Sequence, residues 1–244
     1  MTTTTNGETF PAYKAIVACL EAPVFEYNGA RKIVQGVGFS VDRIPPVDLE
    51  RVGYKPKHKM SALKRMYFNP DEAARVKELL KRREDQAFTS AAMSMRGGAK
   101  DRRSMGWCME SLVVATTPKR TTAEVMYRST EVIKKFTADL AFLPWVFEQL
   151  EIEPEVVRFH FANAYLSGVF FPTLFLWWEP LNLLERLRVE EPKLFIVATR
   201  FLRRSVRTKD QRFPYSPEQQ QHVYAWASYP EKMSTIRDYL ESYL

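Results

Sequence analysis

The chain has 244 residues, of which 45% are hydrophobic and 27% charged, so it can bury a sizeable core, and extended disorder is excluded. Its two cysteines, Cys19 and Cys108, are too few for a disulfide framework. With 36 basic and 29 acidic residues the formal net charge is +7, which suits a phosphate, a nucleic acid or a membrane surface without choosing among them.

The N-terminal half of the chain predicts two helices and three strands. Apolar residues at helical spacing predict a helix over residues 13–20. Residues 24–42 alternate around an Asn-Gly pair at 28–29, which predicts a β-hairpin because both residues tolerate the positive φ of a tight turn. Residues 71–83 predict an amphipathic helix with acids in its first turn and bases in its last. Residues 88–95 predict a strand.

The following segments predict a second hairpin and a third helix. Residues 108–116 and 121–127 are rich in β-branched side chains and flank a Pro-Lys-Arg turn, which is typical of two paired strands. Residues 136–150 have helical periodicity, although Pro144 must bend this helix or lie in its first turn. Because strands and helices mix without regular alternation, we predict an α+β fold with a large mixed β-sheet flanked by helices.

One long uncharged stretch bears on whether the chain crosses a membrane. Residues 159–178 contain no Asp, Glu, Lys or Arg and are long enough to cross a bilayer, but Asn163 and Pro172 interrupt them. We therefore favour buried strands over a membrane helix. The polar N-terminus lacks the basic and apolar regions of a signal peptide. We expect a single cytoplasmic domain over residues 1–244, with residues 1–10 flexible.

Three places along the chain carry side chains suited to chemistry. Cys108 follows the basic pair Arg102 and Arg103, and cations lower a thiol pKa and make it nucleophilic, although a lone cysteine is more often a small buried hydrophobe. An Arg-Ser pair at 128–129 offers a fork and a hydroxyl for a phosphate. Asp139 falls on the apolar face of a helix, where a buried carboxylate needs a structural partner or a ligand.

The spacing of these residues resembles the thymidylate synthase family. Cys108 stands twenty residues before Arg128 and Ser129, the separation between that family's nucleophilic cysteine and its phosphate-binding Arg-Ser pair. The segment RSTEVIKKFTADLAF is similar to the cytidylate hydroxymethylase branch, in which Arg-Ser leads into Phe-x-x-Asp. Asp139 then matches the aspartate with which that branch recognises cytosine. Weaker similarity covers about residues 13–178.

The resemblance implies an enzyme that transfers a one-carbon unit from 5,10-methylenetetrahydrofolate to C5 of CMP or dCMP and gives 5-hydroxymethylcytidylate. Cys108 would add as a thiolate to C6 of the pyrimidine, which makes C5 nucleophilic. Arg128 and Ser129 would bind the 5′-phosphate, and Asp139 would bind the cytosine edge. The family also implies a glutamate that positions water. Glu50 is the positional candidate, and a solvated surface glutamate is an equal alternative at that position.

The chain departs from the family at its sugar-binding and phosphate-binding positions. The family's His-x-Tyr is replaced by Tyr165-x-Ser167, and the smaller serine favours a ribonucleotide, because the 2′-OH needs room and a partner. The family is homodimeric and donates a pair of arginines across the dimer. The candidates that would complete the phosphate site are Arg31, the pair at 82–83, and Arg102 with Arg103.

Three other functions stay open at this point. A cytidylate C5-methyltransferase would use the same cofactor and the same residues. A nucleic-acid-binding protein would suit the +7 charge, but no helix-turn-helix, zinc or RNA-recognition motif accompanies it. A nucleotide-binding protein without catalysis would suit the altered sugar motif. We expect a nucleotide, a folate and a second copy of the chain as partners, and neither a membrane, a metal nor a nucleic acid.

Overall fold

The computed structural model describes residues 11–28, 31–42, 44, 60–81, 88–95, 108–133, 135–167 and 189. In these ranges the chain forms four helices, which are α1 (Pro11–Glu21), α2 (Met60–Tyr67), α3 (Pro70–Lys81) and α4 (Lys135–Leu150). It also forms six strands there, which are β1 (Val24–Asn28), β2 (Arg31–Val41), β3 (Thr89–Ser94), β4 (Met109–Thr117), β5 (Arg120–Glu131) and β6 (Val156–Ser167).

The six strands form one mixed sheet in the order β1-β2-β6-β5-β4-β3. All neighbours are antiparallel except β5 and β6, which are parallel and are joined through α4. A parallel pair needs such a crossover, because a tight turn can join only antiparallel strands. The predicted α+β fold with a large mixed sheet flanked by helices is confirmed.

Both predicted hairpins are present. Asn28 pairs with Arg31 across the β1–β2 turn, whose two residues, 29–30, lie outside the described ranges. In the β4–β5 turn the Thr117 hydroxyl accepts hydrogen bonds from the backbone N–H groups of Lys119 (3.3 Å) and Arg120 (3.0 Å). Strand β5 continues four residues beyond its predicted end at 127, so the Arg-Ser pair lies inside the sheet.

Two helices differ from the sequence predictions. Helix α2 was not predicted, although Met60, Leu63 and Tyr67 follow helical spacing and pack in or against the core. Pro144 lies well inside α4, so the first-turn alternative is wrong. Ten of the sixteen residues of α4 are buried, which explains why the periodicity of its sequence is weak.

The uncharged stretch begins as a strand. Residues 159–167 belong to β6, which pairs with β2 on one side and β5 on the other, and this confirms the strand interpretation for that part. Residues 168–178 lie outside the described ranges. None of the four described helices is long and apolar enough to cross a membrane.

An aromatic cluster holds the first turn of α4 against the sheet. The ring centroid of Phe136 lies 5.0 Å from that of Phe159, 5.2 Å from Phe161, 5.8 Å from Phe39 and 5.9 Å from Tyr127, and all four contacts are edge-to-face. Edge-to-face contacts are the preferred geometry of aromatic pairs. The cluster thereby fixes where the next turn of α4, which carries Asp139, meets β5.

The buried positions shift phase in the three central strands. In β2, β5 and β6 the alternation of buried residues changes between odd and even numbers within one row of the sheet. At the ends of β5 and β6, Glu131 and Ser167 are buried in addition to their even-numbered neighbours. Gly36, with a positive φ of 64°, accommodates the change in β2, where a side chain would be strained. The residues that flank the change are Val34 and Val37, Tyr127 and Thr130, and Phe161 and Ala164.

Polar side chains connect the strands in that row. The amide of Gln35 donates to the Asn163 side-chain oxygen at 3.1 Å, and the Asn163 amide donates to the carbonyl of Arg128 at 3.4 Å. Asn163 also pairs in register with Ser129. The row therefore ends at the Arg-Ser pair that the sequence singled out.

Candidate active site

Strand pairing brings Cys108 beside the Arg-Ser pair. Cys108 immediately precedes β4 and is 6% exposed, and its carbonyl accepts a 2.9 Å hydrogen bond from the backbone N–H of Arg128. Because β4 and β5 form an antiparallel hairpin, Cys108 at its start and Arg128, twenty residues later, lie side by side at the same end of the sheet. Arg128 is exposed and Ser129 is half-buried, and the Ser129 side chain hydrogen-bonds the Cys108 thiol. The structure thus brings the three residues together, and their roles stay predictions.

The thiol of Cys108 is subject to opposing influences. Burial raises its pKa, and the nearby Asp139 adds to that effect, whereas Lys135, Arg128 and the hydrogen bond from Ser129 act to lower it. The net shift is upward. Desolvation therefore outweighs the cations that the structure places beside the thiol, whereas Arg102 and Arg103, on which the sequence prediction of a lowered pKa rests, lie outside the described residues.

Asp139 is buried and lacks a complete set of hydrogen bonds. It lies on α4 with 3% exposure, and burial raises its pKa from an ordinary 3.8 to about 8, with the Tyr127 side chain and Lys135 acting in the opposite direction. Its Oδ2 atom has no hydrogen-bond partner among the described residues. The carboxyl is thus mostly uncharged at neutral pH. A buried carboxyl oxygen without a partner favours the interpretation that Asp139 binds a ligand over the interpretation that it is paired within the protein.

Two tyrosines surround the same carboxyl. Tyr127 on β5 is 2% exposed, and its hydroxyl interacts with Asp139 but completes no hydrogen bond of good geometry within the described part of the chain. Tyr67 on α2 is 4% exposed, and burial, Asp139 and Cys108 raise its pKa, while hydrogen bonds from the backbone of Cys108 and Met109 act to lower it. The two hydroxyls and the carboxyl form a polar group inside an otherwise apolar core.

Sequence reasoning missed Tyr67, Tyr127 and Lys135. Tyr127 directly precedes the Arg-Ser pair, and its place in the strand alternation puts it on the helix-facing side. Lys135 stands four residues before Asp139, so both lie on one face of α4. Tyr67 ends a helix that was not predicted, and only long-range packing brings it to Cys108.

The ionisation of Asp139 predicts how stability depends on pH. Because its pKa is higher in the folded chain than in the unfolded chain, the folded state holds a proton that the unfolded state has released between about pH 4 and pH 8. The free energy of unfolding therefore falls as pH rises through this window. Asp139→Asn removes this dependence, so the variant should gain stability relative to wild type by the order of a few kcal/mol at pH 8.

Urea unfolding of both proteins from pH 4 to pH 9 measures this difference. The stability difference between variant and wild type should grow with pH up to about 8 and then level off. A difference that stays constant across the range would contradict a buried carboxyl with a raised pKa.

The sugar-site candidates Tyr165 and Ser167 lie on β6, beside the phosphate-site candidate Arg31 on β2. The guanidinium carbon of Arg31 lies 5.5 Å from the ring centroid of Tyr165, and Arg31 pairs in register with Ser167. Ser167 is buried, and its hydroxyl has no hydrogen-bond partner among the residues that the structure describes. Tyr165 pairs with Glu131, two residues beyond Ser129 on β5. The group therefore lies towards the same end of the sheet as the Arg-Ser pair.

Several candidates lie outside the described ranges. These are Glu50, the pair at 82–83, and Arg102 with Arg103. Their roles stay predictions. Within the described ranges, no group of three or more His, Cys, Asp or Glu side chains could hold a metal ion.

Comparisons with known proteins leave the family open. No protein-family profile and no curated protein sequence matches the chain. Among solved structures the chain is similar to thymidylate synthase from T4 phage, with 9% sequence identity and a TM-score of 0.41, over 63% of this chain and 75% of that one. A TM-score of this size is too low to establish a common fold, so no family assignment follows from it.

Proposed function

We propose that the protein transfers a one-carbon unit from 5,10-methylenetetrahydrofolate to C5 of a cytidine monophosphate, CMP or dCMP, and gives 5-hydroxymethylcytidylate. One observation carries the proposal. A buried thiol, Cys108, lies beside an exposed arginine on the neighbouring strand and within electrostatic reach of Asp139, a buried carboxyl that is uncharged and incompletely paired. Nucleophile, phosphate ligand and base-recognising group are the three functions that this reaction requires.

The nucleophile acts on C6 of the pyrimidine ring. C5 of a pyrimidine is a poor nucleophile, but a bond between the Cys108 sulfur and C6 shifts the C5–C6 π electrons towards C5, which then attacks an electrophilic carbon. Loss of the C5 proton lets the transferred carbon separate from its carrier as an exocyclic methylene, and the carrier's nitrogen leaves with a proton. Water then adds to this methylene and gives the hydroxymethyl group, and departure of the sulfur from C6 restores the aromatic ring. The folate supplies the one-carbon unit when bound. The orphaned atoms of Asp139 and Tyr127 fit the polar edge of a pyrimidine, and no described side chain is assigned to the folate.

The nucleotide phosphate would bind at the Arg-Ser pair. Arg128 is exposed and offers a planar fork of donors, and Ser129 adds a hydroxyl from the helix-facing side. A phosphate bound to Arg128 compensates the positive charge of the guanidinium, so Arg128 then lowers the pKa of the Cys108 thiol less. Lys135, which already lowers the pKa of the Cys108 thiol more than Arg128 does, then remains to stabilise the thiolate.

Lys135 provides a test of how the thiol is activated. Because its charge acts to lower the Cys108 pKa, Lys135→Gln should move the pH midpoint of Cys108 alkylation by iodoacetamide upward in the ligand-free protein. Peptide mass spectrometry separates Cys108 from Cys19. Lys119→Gln, in the exposed β4–β5 turn, is the matched control and should leave the midpoint in place. An unchanged midpoint in Lys135→Gln would remove Lys135 from this role.

Tritium release tests the proposed function directly. The purified protein is incubated with 5,10-methylenetetrahydrofolate and, in separate reactions, with CMP, dCMP or dUMP labelled at C5. Release from a cytidine nucleotide supports the proposal, and no release from any of the three refutes it. The mass of the product then separates 5-hydroxymethylcytidylate from the 5-methylcytidylate of the alternative methyltransferase.

We also propose a homodimer, supported by the sheet face opposite the helices. Before the change of phase, the even-numbered side chains of β5 and β6 point to that face, and they include Met126, which is 40% exposed. Around it Glu124 pairs with Arg158 at 2.9 Å and lies 3.7 Å from His160. Light scattering over a range of protein concentrations measures the assembly, and a monomer throughout would contradict it.

A further inference from the structure

The Tyr127 side chain is held with its hydroxyl towards the Asp139 carboxyl. Its ring packs edge-to-face on Phe161 at 5.2 Å and on Phe136 at 5.9 Å, and one of these belongs to β6 and the other to α4. These contacts leave the ring little freedom to turn away. Tyr127 Oη and Asp139 Oδ2 are both buried, and neither completes a hydrogen bond with a described residue. Two neighbouring polar atoms therefore retain unused hydrogen-bonding capacity, and the Tyr127 side chain interacts with the Asp139 carboxyl.

An uncharged carboxyl alone does not discriminate between cytosine and uracil. Its hydroxyl can donate to N3 of cytosine while its other oxygen accepts from the 4-amino group. The same carboxyl, with its proton on the other oxygen, can donate to O4 of uracil and accept from N3–H. Both pairings make two hydrogen bonds. Selectivity therefore requires a neighbour that decides which carboxyl oxygen holds the proton.

We propose that Tyr127 is a specificity-determining residue: its hydroxyl donates to the Asp139 oxygen that faces position 4 of the base, and so places the carboxyl proton on the oxygen that faces N3. An oxygen that already accepts from a hydroxyl is the less favourable site for the carboxyl proton, so the proton lies on the other oxygen. The oxygen that faces position 4 is then the carbonyl oxygen and keeps a second lone pair for the 4-amino group, and the pattern left for the ligand matches cytosine. This inference rests on the proposed function and adds to it the residue that selects the base.

The other groups that face Asp139 do not supply this directionality. Lys135 on the same helix is exposed, and its charge acts on both carboxyl oxygens. Tyr67 on α2 and Cys108 before β4 lie within electrostatic reach of the carboxyl, but neither is among the groups that shift its pKa. Tyr127 alone among these four acts on Asp139 through a directional side-chain interaction.

Tyr127→Phe tests the inference because it removes the hydroxyl and keeps the ring. We expect the ratio of kcat/KM for CMP to kcat/KM for UMP, measured by tritium release, to fall by about tenfold. The Asp139 pKa, followed by carboxyl ¹³C NMR in the ligand-free protein, should rise, because the Tyr127 side chain acts to lower it. A second substitution, 3-fluorotyrosine at position 127, makes the hydroxyl a stronger donor and should move both quantities the other way.

The control removes a different buried hydroxyl from the same region. Thr137 on α4 is 1% exposed and donates to the carbonyl of Ile133 at 2.7 Å, so Thr137→Val loses a buried hydrogen bond without touching Asp139. Its CMP-to-UMP ratio should stay at the wild-type value. Equal losses for CMP and UMP in Tyr127→Phe, with the ratio unchanged, would overturn the inference and leave the proposed function standing. A wild-type protein that releases no tritium from any pyrimidine nucleotide would instead refute the proposed function.

Discussion

Cys108→Ala should abolish tritium release from C5 of CMP and dCMP, with a loss in turnover of at least about a thousandfold. The reason is that C5 becomes nucleophilic only after a bond forms at C6, and no other thiol lies at this place in the sheet. Cys108 is held there by the hydrogen bond between its carbonyl and the Arg128 N–H. Binding of CMP, measured by calorimetry, should survive the substitution, since Arg128, Ser129 and Asp139 remain.

The second cysteine is the matched control for this prediction. Cys19 is fully buried in α1, and burial raises its thiol pKa to about 12, so it is inert at neutral pH. Cys19→Ala should keep the catalytic activity of the wild type and lose only packing energy. Turnover of Cys108→Ala within tenfold of the wild type, or loss of activity in Cys19→Ala alone, would show that Cys108 is not the nucleophile.

Asp139→Asn should shift the preference of the enzyme from cytidine towards uridine nucleotides by about ten- to a hundredfold in relative kcat/KM. The amide nitrogen of asparagine can donate to the Tyr127 hydroxyl and then faces position 4, where it pairs with O4 of uracil while the amide oxygen accepts from N3–H. In this orientation the 4-amino group and N3 of cytosine are left unpaired. An unpaired buried atom costs about 1–3 kcal/mol, which corresponds to this range of selectivity. Competition between CMP and UMP in one reaction measures the shift.

A matched substitution tests whether the effect depends on the site. Asp71 lies in the first turn of α3 and is exposed, so Asp71→Asn makes the same exchange of side chains away from the site. It should leave the preference for CMP unaltered. If Asp139→Asn discriminates between CMP and UMP as the wild type does, Asp139 has no role in base recognition, and the function of the pocket must be sought in another ligand.

The elements of the fold that depend on neighbouring residues could be predicted from the sequence. The Asn-Gly turn and the Pro-Lys-Arg turn specify their hairpins because the geometry of each lies within a few residues. The parallel pairing of β5 with β6 could not be predicted, since it joins strands separated by a whole helix and is determined by packing of Phe136 against both. Helix α2 was missed because its eight residues carry a short pattern with few repeats.

In the candidate site, too, features that depend on local spacing could be predicted from the sequence, and features that depend on long-range packing could not. The positions of Cys108, Arg128 and Asp139 follow from spacing along one hairpin and one helix, so the sequence predicts their proximity. The direction of the thiol pKa shift depends on burial, which is a property of the packed core and not of the charged neighbours in sequence. Tyr67 reaches Cys108 from α2 across 41 residues of chain, and no local pattern indicates that contact.

Under the proposed function, the incompletely paired atoms of Asp139 and Tyr127 would also link the abundance of the protein to the supply of its nucleotide. A nucleotide that completes their hydrogen bonds binds only the folded chain, so a hundredfold excess over its Kd would add about 2.7 kcal/mol to the free energy of unfolding. In a cell depleted of that nucleotide, a larger share of the chains would be unfolded at any moment and open to proteases. The amount of enzyme would then rise and fall with the substrate that it consumes.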